Sequence, residues 1–246
     1  MQSFGYFQCP NFVTLVLEYA EYGNLNEYRK TEENETLSIP QTAHFLRQIV
    51  SAVAYLESLH IAHRDIKPEN IVLTMRSTAK LCDFGYSIRS PPRDVRTTLC
   101  GTPEFIPPEM LTQSIEYVAC HVDPWALGVL AYELVNGNTP FFVEKSEKDR
   151  ITAKKGYNTD YHVNFDRIRE FSTLDIADGN TDCDHCIFFD FCSSLLQRKP
   201  SDRMSAKDAL KHPFLLSFSR KQLTSHRRRR LQSRPRNRSK TQTRTH

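Results

Sequence analysis

Long hydrophobic runs are absent from this sequence of 246 residues. No apolar run approaches the ~18 residues that a membrane-spanning helix needs, and no basic stretch near the N-terminus precedes an apolar one. Membrane insertion and export are therefore not expected, and no membrane partner is predicted.

Cysteine shows no disulfide pattern. The chain holds seven cysteines, an odd number, at irregular spacing, unlike the frameworks of small secreted proteins. We therefore expect a reducing, intracellular environment. With 39% hydrophobic and 25% charged residues, the composition is that of a globular protein with room for one sizeable core and a second lobe.

Acidic residues are missing from the C-terminal segment. Residues 220–246 contain eleven Lys and Arg and no acid, so residues 1–219 carry 22 basic against 29 acidic groups. This predicts an acidic body and a disordered basic tail over residues 218–246. The arginine run from His226 to Arg230 is typical of a nuclear import signal or a non-specific contact with nucleic acid or another polyanion. A solvated charge run is the alternative.

Apolar periodicity predicts the main elements. The β-branched run over Phe12–Leu17 predicts a buried strand, with a partner strand near residues 3–9. A helical stripe that begins at the cap residue Ser38 extends to about His60. Residues 125–132 are apolar on every side, which is typical of a central buried helix, and a last helix is expected over residues 205–211.

Two motifs in the middle of the chain carry chemistry. His63-Arg64-Asp65-Ile66-Lys67-Pro68-Glu69-Asn70 is followed, 13 residues after Asn70, by Asp83-Phe84-Gly85. Either motif alone fits a chance surface turn. Together they match the catalytic-loop and metal-binding signatures of protein kinases in order and spacing.

These residue types suit phosphoryl transfer from ATP with Mg²⁺. The reaction needs a group that orients the attacking hydroxyl, oxygen ligands for magnesium and a cation against the developing charge. Asp65 would orient the hydroxyl, Asn70 and Asp83 would hold Mg²⁺, and Lys67 would face the γ-phosphate.

Further motifs occur at the sequence positions expected of a protein kinase. Gly101-Thr102-Pro103-Glu104 and Pro107-Pro108-Glu109 lie where the activation segment closes, and Asp123 begins the motif of the central helix. Arg203 stands where an arginine pairs with Glu109. The number of independent spacings makes coincidence improbable.

The chain resembles the Aurora kinases from residue 4 to about residue 217. The resemblance rests on Leu15-Val16-Leu17-Glu18-Tyr19-Ala20, Arg96-Thr97-Thr98-Leu99-Cys100-Gly101-Thr102 and Ile106-Pro107-Pro108-Glu109-Met110. It implies an α+β, protein-kinase-like fold, mainly the α-helical C-lobe with remnant strands of the N-lobe. The implied division is strands and hinge over 1–19, the C-lobe over 20–217 and the tail, with catalytic loop 63–70, activation segment 83–109 and an insert at about 160–184.

The resemblance also implies a nucleotide site. Leu17 would be the gatekeeper, Glu18 and Ala20 would present backbone groups to adenine, Asn24 would lie near the ribose, and Val72 would form the adenine floor. Leu17 and Val72 are equally compatible with plain core positions of a strand. Glu69 would lie with Asn70 and Asp83 at this site.

Regulation and specificity follow from the same resemblance. Thr98 would be phosphorylated, with Thr97 as its competitor and Arg64 as the cation for the phosphate. Thr102 resembles the threonine that serine/threonine kinases place against the catalytic Asp and Lys. Glu69 and Glu133 would bind an arginine two residues before the target, although an exposed glutamate is often only a solvated charge.

The family implies protein substrates, an activator protein, a role in chromosome segregation and localisation to the nucleus, cytoplasm or spindle. Its glycine-rich strands, third-strand lysine and partner glutamate are not found in this sequence. We weigh three explanations: a fragment of an active kinase, which we favour, a short inactive product that acts as a pseudokinase-like binding scaffold, or a short form completed by another chain.

The insert holds Cys183-Asp184-His185-Cys186. One such motif would be half of a zinc site or a redox pair. Because a second half is not found at the proper spacing, we favour a surface loop that leads into an apolar helix over residues 187–191.

Overall fold

The computed structural model describes residues 1–74, 78–112, 115–144, 161–163 and 184–218. In these ranges the helices are α1 Leu25–Lys30, α2 Ile39–Ser58, α3 Val122–Asn136, α4 Asp184–Leu195, α5 Ala206–Ala209 and α6 Pro213–Ser217. The strands are β1 Ser3–Cys9, β2 Phe12–Leu17, β3 Ile61–Ala62, β4 Ile71–Thr74, β5 Thr78–Leu81, β6 Ile88–Arg89, β7 Val95–Arg96, β8 Tyr117–Val118, β9 Phe142–Glu144 and β10 Tyr161–Val163. Both classes are present, as an α+β kinase-like fold requires.

Helix α2 combines a capped N-terminus with an apolar stripe that is buried in the core. The Ser38 side chain accepts from the Gln41 backbone N–H, and the Gln41 side chain accepts from the Ser38 backbone N–H. Two backbone N–H groups at the start of the helix therefore have hydrogen-bond partners. Pro40 lies in that turn, where it is tolerated. The stripe predicted from the sequence is buried at Ala43, Leu46, Ile49, Val50, Val53 and Leu56.

Helix α3 occupies the centre of the core. Eleven of its 15 residues are buried, and it packs against α2 and α4. The all-round apolar pattern over residues 125–132 therefore predicted a central helix correctly. The helix ends at Gly137, whose φ of 82° closes the last turn in the left-handed conformation.

Short two-stranded sheets hold the loops between α2 and α3. β4 pairs with β5, β3 pairs with β6, and β7 pairs with β8, all antiparallel. The third pairing joins residues 95–96 to residues 117–118, so the segment after Asp83 is fixed at both ends. β9 and β10 form a further antiparallel pair.

The prediction of a buried strand over Phe12–Leu17 was wrong in its burial. β2 pairs with β1 as an antiparallel hairpin, but five of its six residues are exposed. Phe4, Tyr6 and Leu15 are 64%, 72% and 61% exposed. The strand forms because its β-branched residues suit it, and it stays exposed because no described element covers either face of the hairpin.

Smaller differences concern the C-terminal helices. The expected helix over residues 205–211 is only α5, capped by Ser205, and α6 begins at Pro213 after its cap residue His212. The apolar helix over residues 187–191 is part of α4. No helix within the described ranges is long and apolar enough to cross a membrane.

Most of the predicted insert and all of the basic tail lie outside the described residues. Cys186 is half-buried in the first turn of α4, while Cys183 is outside the described residues. The described part of the chain contains no group of three or more His, Cys, Asp or Glu that could hold a metal ion. A zinc half-site at Cys183 and Cys186 stays untested.

The contact between α3 and the end of α4 generates a stability prediction. A Cβ at Gly128 would lie 2.8 Å from Leu196 Cγ and 3.0 Å from Leu195 Cβ. We expect Gly128→Ala to lower the free energy of unfolding by about 1–2 kcal/mol, because overpacking outweighs the gain in helix propensity. Chemical denaturation would measure this, with the exposed Ser51→Ala in α2 as control. Equal stability of Gly128→Ala and wild type would show that Gly128 does not pack closely against Leu195 and Leu196.

Candidate active site

A buried carboxylate at the start of α3 fixes the catalytic loop. Asp123 is 3% exposed, and its two oxygens accept hydrogen bonds from the backbone N–H of His63 at 2.7 Å and of Arg64 at 2.8 Å. Burial raises the pKa of Asp123, and the two N–H donors partly offset that rise. The contact holds Arg64 at a φ of 66°, which turns the chain toward Asp65.

Asp65 lies at the centre of a hydrogen-bonded network. Its Oδ1 accepts from Thr102 N at 3.0 Å and from Thr102 Oγ1 at 2.7 Å. Its Oδ2 accepts from Asn70 Nδ2 at 2.8 Å and lies 3.2 Å from Lys67 Nζ. Burial alone would raise the pKa of Asp65, but hydrogen bonds from Thr102 and Lys67 outweigh it and lower that pKa.

Thr102 joins the activation segment to this network. Lys67 Nζ donates to Thr102 Oγ1 at 2.7 Å, so Thr102 contacts both Asp65 and Lys67. The chain crosses closely at Gly101, where φ is 97° and a Cβ would lie 2.6 Å from the backbone oxygen of Arg64. Any side chain at Gly101 would force the two loops apart.

Oxygen atoms of Asn70 and Asp83 are available for a cation. Asn70 Nδ2 donates to Asp65, which leaves its Oδ1 without a hydrogen bond among the described residues. Asp83 is exposed and uses only Oδ1, which accepts from Gly85 N. The two loops are joined because the Cys82 backbone N–H donates to Asn70 O at 2.9 Å. This donor set suits Mg²⁺.

The end of the activation segment is fixed by Glu109 and Arg203. Arg203 Nη1 and Nη2 donate to the two Glu109 oxygens at 2.8 and 3.0 Å. The Arg203 side chain is fully buried, and its guanidinium lies 5.1 Å from the centre of the Trp125 ring. The paired geometry and the ring contact make this a rigid link.

Arg64 does not contact the Thr98 side chain. Its Nε donates to the Tyr86 carbonyl at 2.8 Å and its Nη1 donates to Tyr117 Oη at 3.0 Å. Tyr117 Oη in turn donates to the Thr98 carbonyl at 2.7 Å. The side chains of Thr97 and Thr98 are exposed. Sequence reasoning missed Tyr117, because no motif marks it.

The hinge residues lie beside β4 and β5. The Glu18 side chain pairs with Lys80 Nζ at 2.6 Å, and Asn24 forms a β-bridge with Val72. The Asn24 side chain caps α1 by accepting from Glu27 N at 2.9 Å. Among the described residues, the Glu18 carbonyl and the Ala20 N–H make no hydrogen bond, so both are free to meet a ligand. Leu17 is 43% exposed and Val72 is half-buried, so neither is a fully buried core residue.

Two carboxylates contact side chains of α1. Asn26 Nδ2 donates to Glu69 Oε1 at 2.8 Å, and Arg29 Nη2 lies 3.4 Å from Glu133 Oε1. The other Glu133 oxygen is buried without a hydrogen bond partner. Burial raises the pKa of Glu133 to about 7 against the effect of Arg29, and Glu69 and Glu104 add to the rise.

The arrangement defines a class of protein. Asp65 in contact with Lys67 and Thr102, together with oxygen atoms of Asn70 and Asp83 of the kind that suits Mg²⁺, is the arrangement expected of a protein kinase active site.

Comparison with known proteins supports this class. Residues 1–215 match the family described as protein kinase domain. Aurora kinase C of Mus musculus is 33% identical over 223 residues, which cover 91% of this chain and 72% of that protein. Aurora kinases of Eremothecium gossypii and Saccharomyces cerevisiae are 35% and 36% identical over 87% of this chain. The chain spans about half the length of these two fungal relatives, at 52% of each.

The chain therefore belongs to the protein kinase family and, within it, to the Aurora kinases.

The Asp123 contact generates a prediction on stability. Asp123→Asn removes the charge and one of the two acceptors, so one buried N–H at His63 or Arg64 loses its partner. We expect the free energy of unfolding to fall by about 1–3 kcal/mol, with faster hydrogen exchange at the amides of residues 63–65. The exposed Asp208→Asn is the matched control and should stay near wild type. If both variants unfold alike, Asp123 does not hold the loop.

Glu133 generates a prediction on pH. Because its folded pKa of about 7 lies above its ordinary value of 4.5, its contribution to stability is present below pH 4.5 and is lost as the pH rises through 7. We expect the stability of wild type relative to Glu133→Gln to fall by up to about 3 kcal/mol over this range.

Urea denaturation at several pH values would measure the difference, with the exposed Glu116→Gln as control. A difference between wild type and Glu133→Gln that does not change with pH would show that Glu133 titrates normally in the folded protein.

Proposed function

We propose that this chain contributes the substrate-side lobe of a serine/threonine protein kinase, which transfers the ATP γ-phosphate to Ser or Thr of protein substrates. The observation that carries the proposal is the network in which Asp65 contacts Lys67, Asn70 and Thr102. These contacts leave the carboxylate ionised and fixed in direction, as orientation of an attacking hydroxyl requires.

Each residue of the network has a distinct role. Asp65 accepts the hydrogen bond of the substrate hydroxyl, and its lowered pKa keeps it an acceptor at neutral pH. Lys67, held by Thr102 Oγ1, presents its ammonium toward the transferred phosphate. The hydroxyl of Thr102 closes the contact between the activation segment and the catalytic loop. This use of a threonine supports a serine or threonine acceptor.

Asn70 and Asp83 would hold Mg²⁺, which neutralises charge on the phosphates of ATP. The free Glu18 carbonyl and Ala20 N–H suit an adenine ring that needs one acceptor and one donor. Asn24 and Val72, joined by their β-bridge, would lie beneath the ribose and the base. Leu17 at the end of β2 would act as gatekeeper.

Substrates with an arginine two residues before the target are favoured by the acidic site. The buried Glu133 oxygen lacks a hydrogen bond, and such a group is stabilised when a cationic donor arrives. Glu69 is exposed and close enough to influence Glu133, so an arginine could contact both.

The active protein needs a cover over the hairpin of β1 and β2. Its large side chains are exposed on both faces, and an isolated two-stranded sheet is marginally stable in water. Phe84 packs on His63 at 4.8 Å between ring centres and is still 47% exposed. We infer that further polypeptide, which carries the glycine-rich loop and its lysine, packs here in the active kinase.

A pseudokinase-like binding scaffold is the second candidate. It is favoured by the same exposed hairpin, which would serve as a contact surface for a partner. The mass of the endogenous protein separates the two. A product about a hundred residues larger than 28.6 kDa, the size that a nucleotide lobe needs, supports the kinase. A product of 28.6 kDa supports the scaffold.

Location and partners are proposed from the family. A role in chromosome segregation, at the nucleus or spindle and under an activator protein, follows the Aurora kinases. Phosphorylation of Thr98 is supported by its exposed side chain. The basic residues from 220 to 246 would add a salt-sensitive contact with nucleic acid or another polyanion.

Nucleotide binding and transfer test the proposal. We expect the full chain to bind ATP with Mg²⁺ at least tenfold more tightly than Asp83→Ala, because the variant loses a charged magnesium ligand. With the nucleotide lobe present, Asp65→Asn should lower kcat by at least 100-fold with little change in the KM for ATP.

Calorimetry would measure ATP binding, and a radiolabelled phosphate assay on an arginine-containing serine peptide would measure transfer. Glu116→Gln, which alters an exposed residue outside this network, is the control and should match wild type. If wild type binds ATP no better than Asp83→Ala, the enzymatic assignment of this polypeptide fails and the scaffold is favoured.

A further inference from the structure

Tyr117 connects Arg64 to Thr98, two residues that share no direct hydrogen bond within the described part of the chain. Its hydroxyl accepts from Arg64 Nη1 at 3.0 Å and donates to the Thr98 carbonyl at 2.7 Å. Three polar groups therefore form one chain, from a guanidinium N–H through a phenol to a backbone oxygen. Each bond in such a chain polarises the next and strengthens it.

The packing around Tyr117 holds the hydroxyl in place. Tyr117 is 3% exposed and belongs to a small core cluster with Ala62, Ile106, Met110, Ala119 and Val122. β8 pairs Tyr117 with Arg96 of β7, two residues before Thr98. Burial raises the pKa of Tyr117, so the phenol stays neutral and keeps the proton that it donates to Thr98.

The backbone carbonyl and the side chain of Thr98 have different surroundings. Its carbonyl faces Tyr117, while its side chain is exposed and open to a modifying enzyme. Arg64 uses Nε on Tyr86 O and Nη1 on Tyr117 Oη. Within the described residues, Arg64 Nη2 makes no hydrogen bond, so one donor of the guanidinium stays available close to Thr98.

We propose that Tyr117 is a positioning residue that orders the activation segment before Thr98 is phosphorylated. The phenol holds residues 96–102 against the catalytic loop, so that Thr102 reaches Asp65 and Arg64 stays directed toward Thr98. A phosphate on Thr98 would bond to the free donor of Arg64 and add to this tether. The proposal rests on the proposed function for its effect on catalysis, but the ordering itself does not.

Tyr117→Phe tests the ordering, because it keeps the buried ring and removes only the hydroxyl. In the unphosphorylated full chain, we expect hydrogen exchange at the amides of residues 96–102 to rise about tenfold, the effect of losing one to two ordinary hydrogen bonds. Exchange in α2 and α3 should not change. Tyr55→Phe, which alters an exposed phenol in α2, is the control and should match wild type throughout.

A second variant tests whether Tyr117 acts through Arg64. Arg64→Gln should raise the same exchange, and the double variant should exceed the larger single effect by no more than about twofold. Two independent effects that multiply to about 100-fold would overturn the proposal, and so would unchanged exchange in Tyr117→Phe. If Tyr117→Phe does not fold, unchanged exchange in Arg64→Gln overturns it instead.

The catalytic consequence is measured separately. With the nucleotide lobe present, Tyr117→Phe should lower kcat of the unphosphorylated kinase about tenfold and leave the KM for ATP unchanged. A general loss of folding would instead lower the amount of active enzyme in both phosphorylation states. If exchange is faster in Tyr117→Phe but the wild type transfers no phosphate, the kinase assignment is contradicted and the role of Tyr117 is sustained. If the wild type transfers phosphate but exchange is unchanged in Tyr117→Phe, the kinase assignment is sustained and the role of Tyr117 is overturned.

Discussion

The hydrogen bonds from the catalytic loop to Asp123 are the constraint on which the site depends. A carboxylate that is 3% exposed at the start of the central helix holds the backbone of His63 and Arg64. Because α3 is buried along most of its length, the loop takes its position from a helix at the centre of the core. Asp65 then points into the site and Arg64 toward the activation segment.

The activation segment is attached to the catalytic loop at Gly101 and Thr102 and to a more distant part of the chain at Glu109. Gly101 crosses the Arg64 carbonyl at close range, Thr102 bonds to Asp65, and Arg203 binds Glu109 behind the segment. Thr102 and Asp65 are 37 residues apart along the chain, and Arg203 and Glu109 are 94 residues apart. Together these contacts fix Asp65, Lys67 and Thr102 relative to one another.

The hairpin of β1 and β2 is far more exposed than the region around Asp65. The large apolar side chains of this hairpin are exposed, and the Phe84 ring, packed on His63, is half exposed. The Glu18–Lys80 ion pair holds the hinge to β5, but a surface ion pair contributes little to stability. The structure therefore combines a packed region around Asp65 with an exposed hairpin, and the proposed kinase and scaffold alternatives differ in what covers that hairpin.

The sequence by itself determined what depends on local order. The stripe and cap of α2, the all-apolar α3 and the spacing from Asp65 to Asp83 all follow from residues close along the chain. Only the tertiary structure decided that β2 is exposed, that Tyr117 bridges Arg64 and Thr98, and that Glu133 is buried beside Arg29. These depend on which distant segments pack together, and neither periodicity nor motif spacing contains that information.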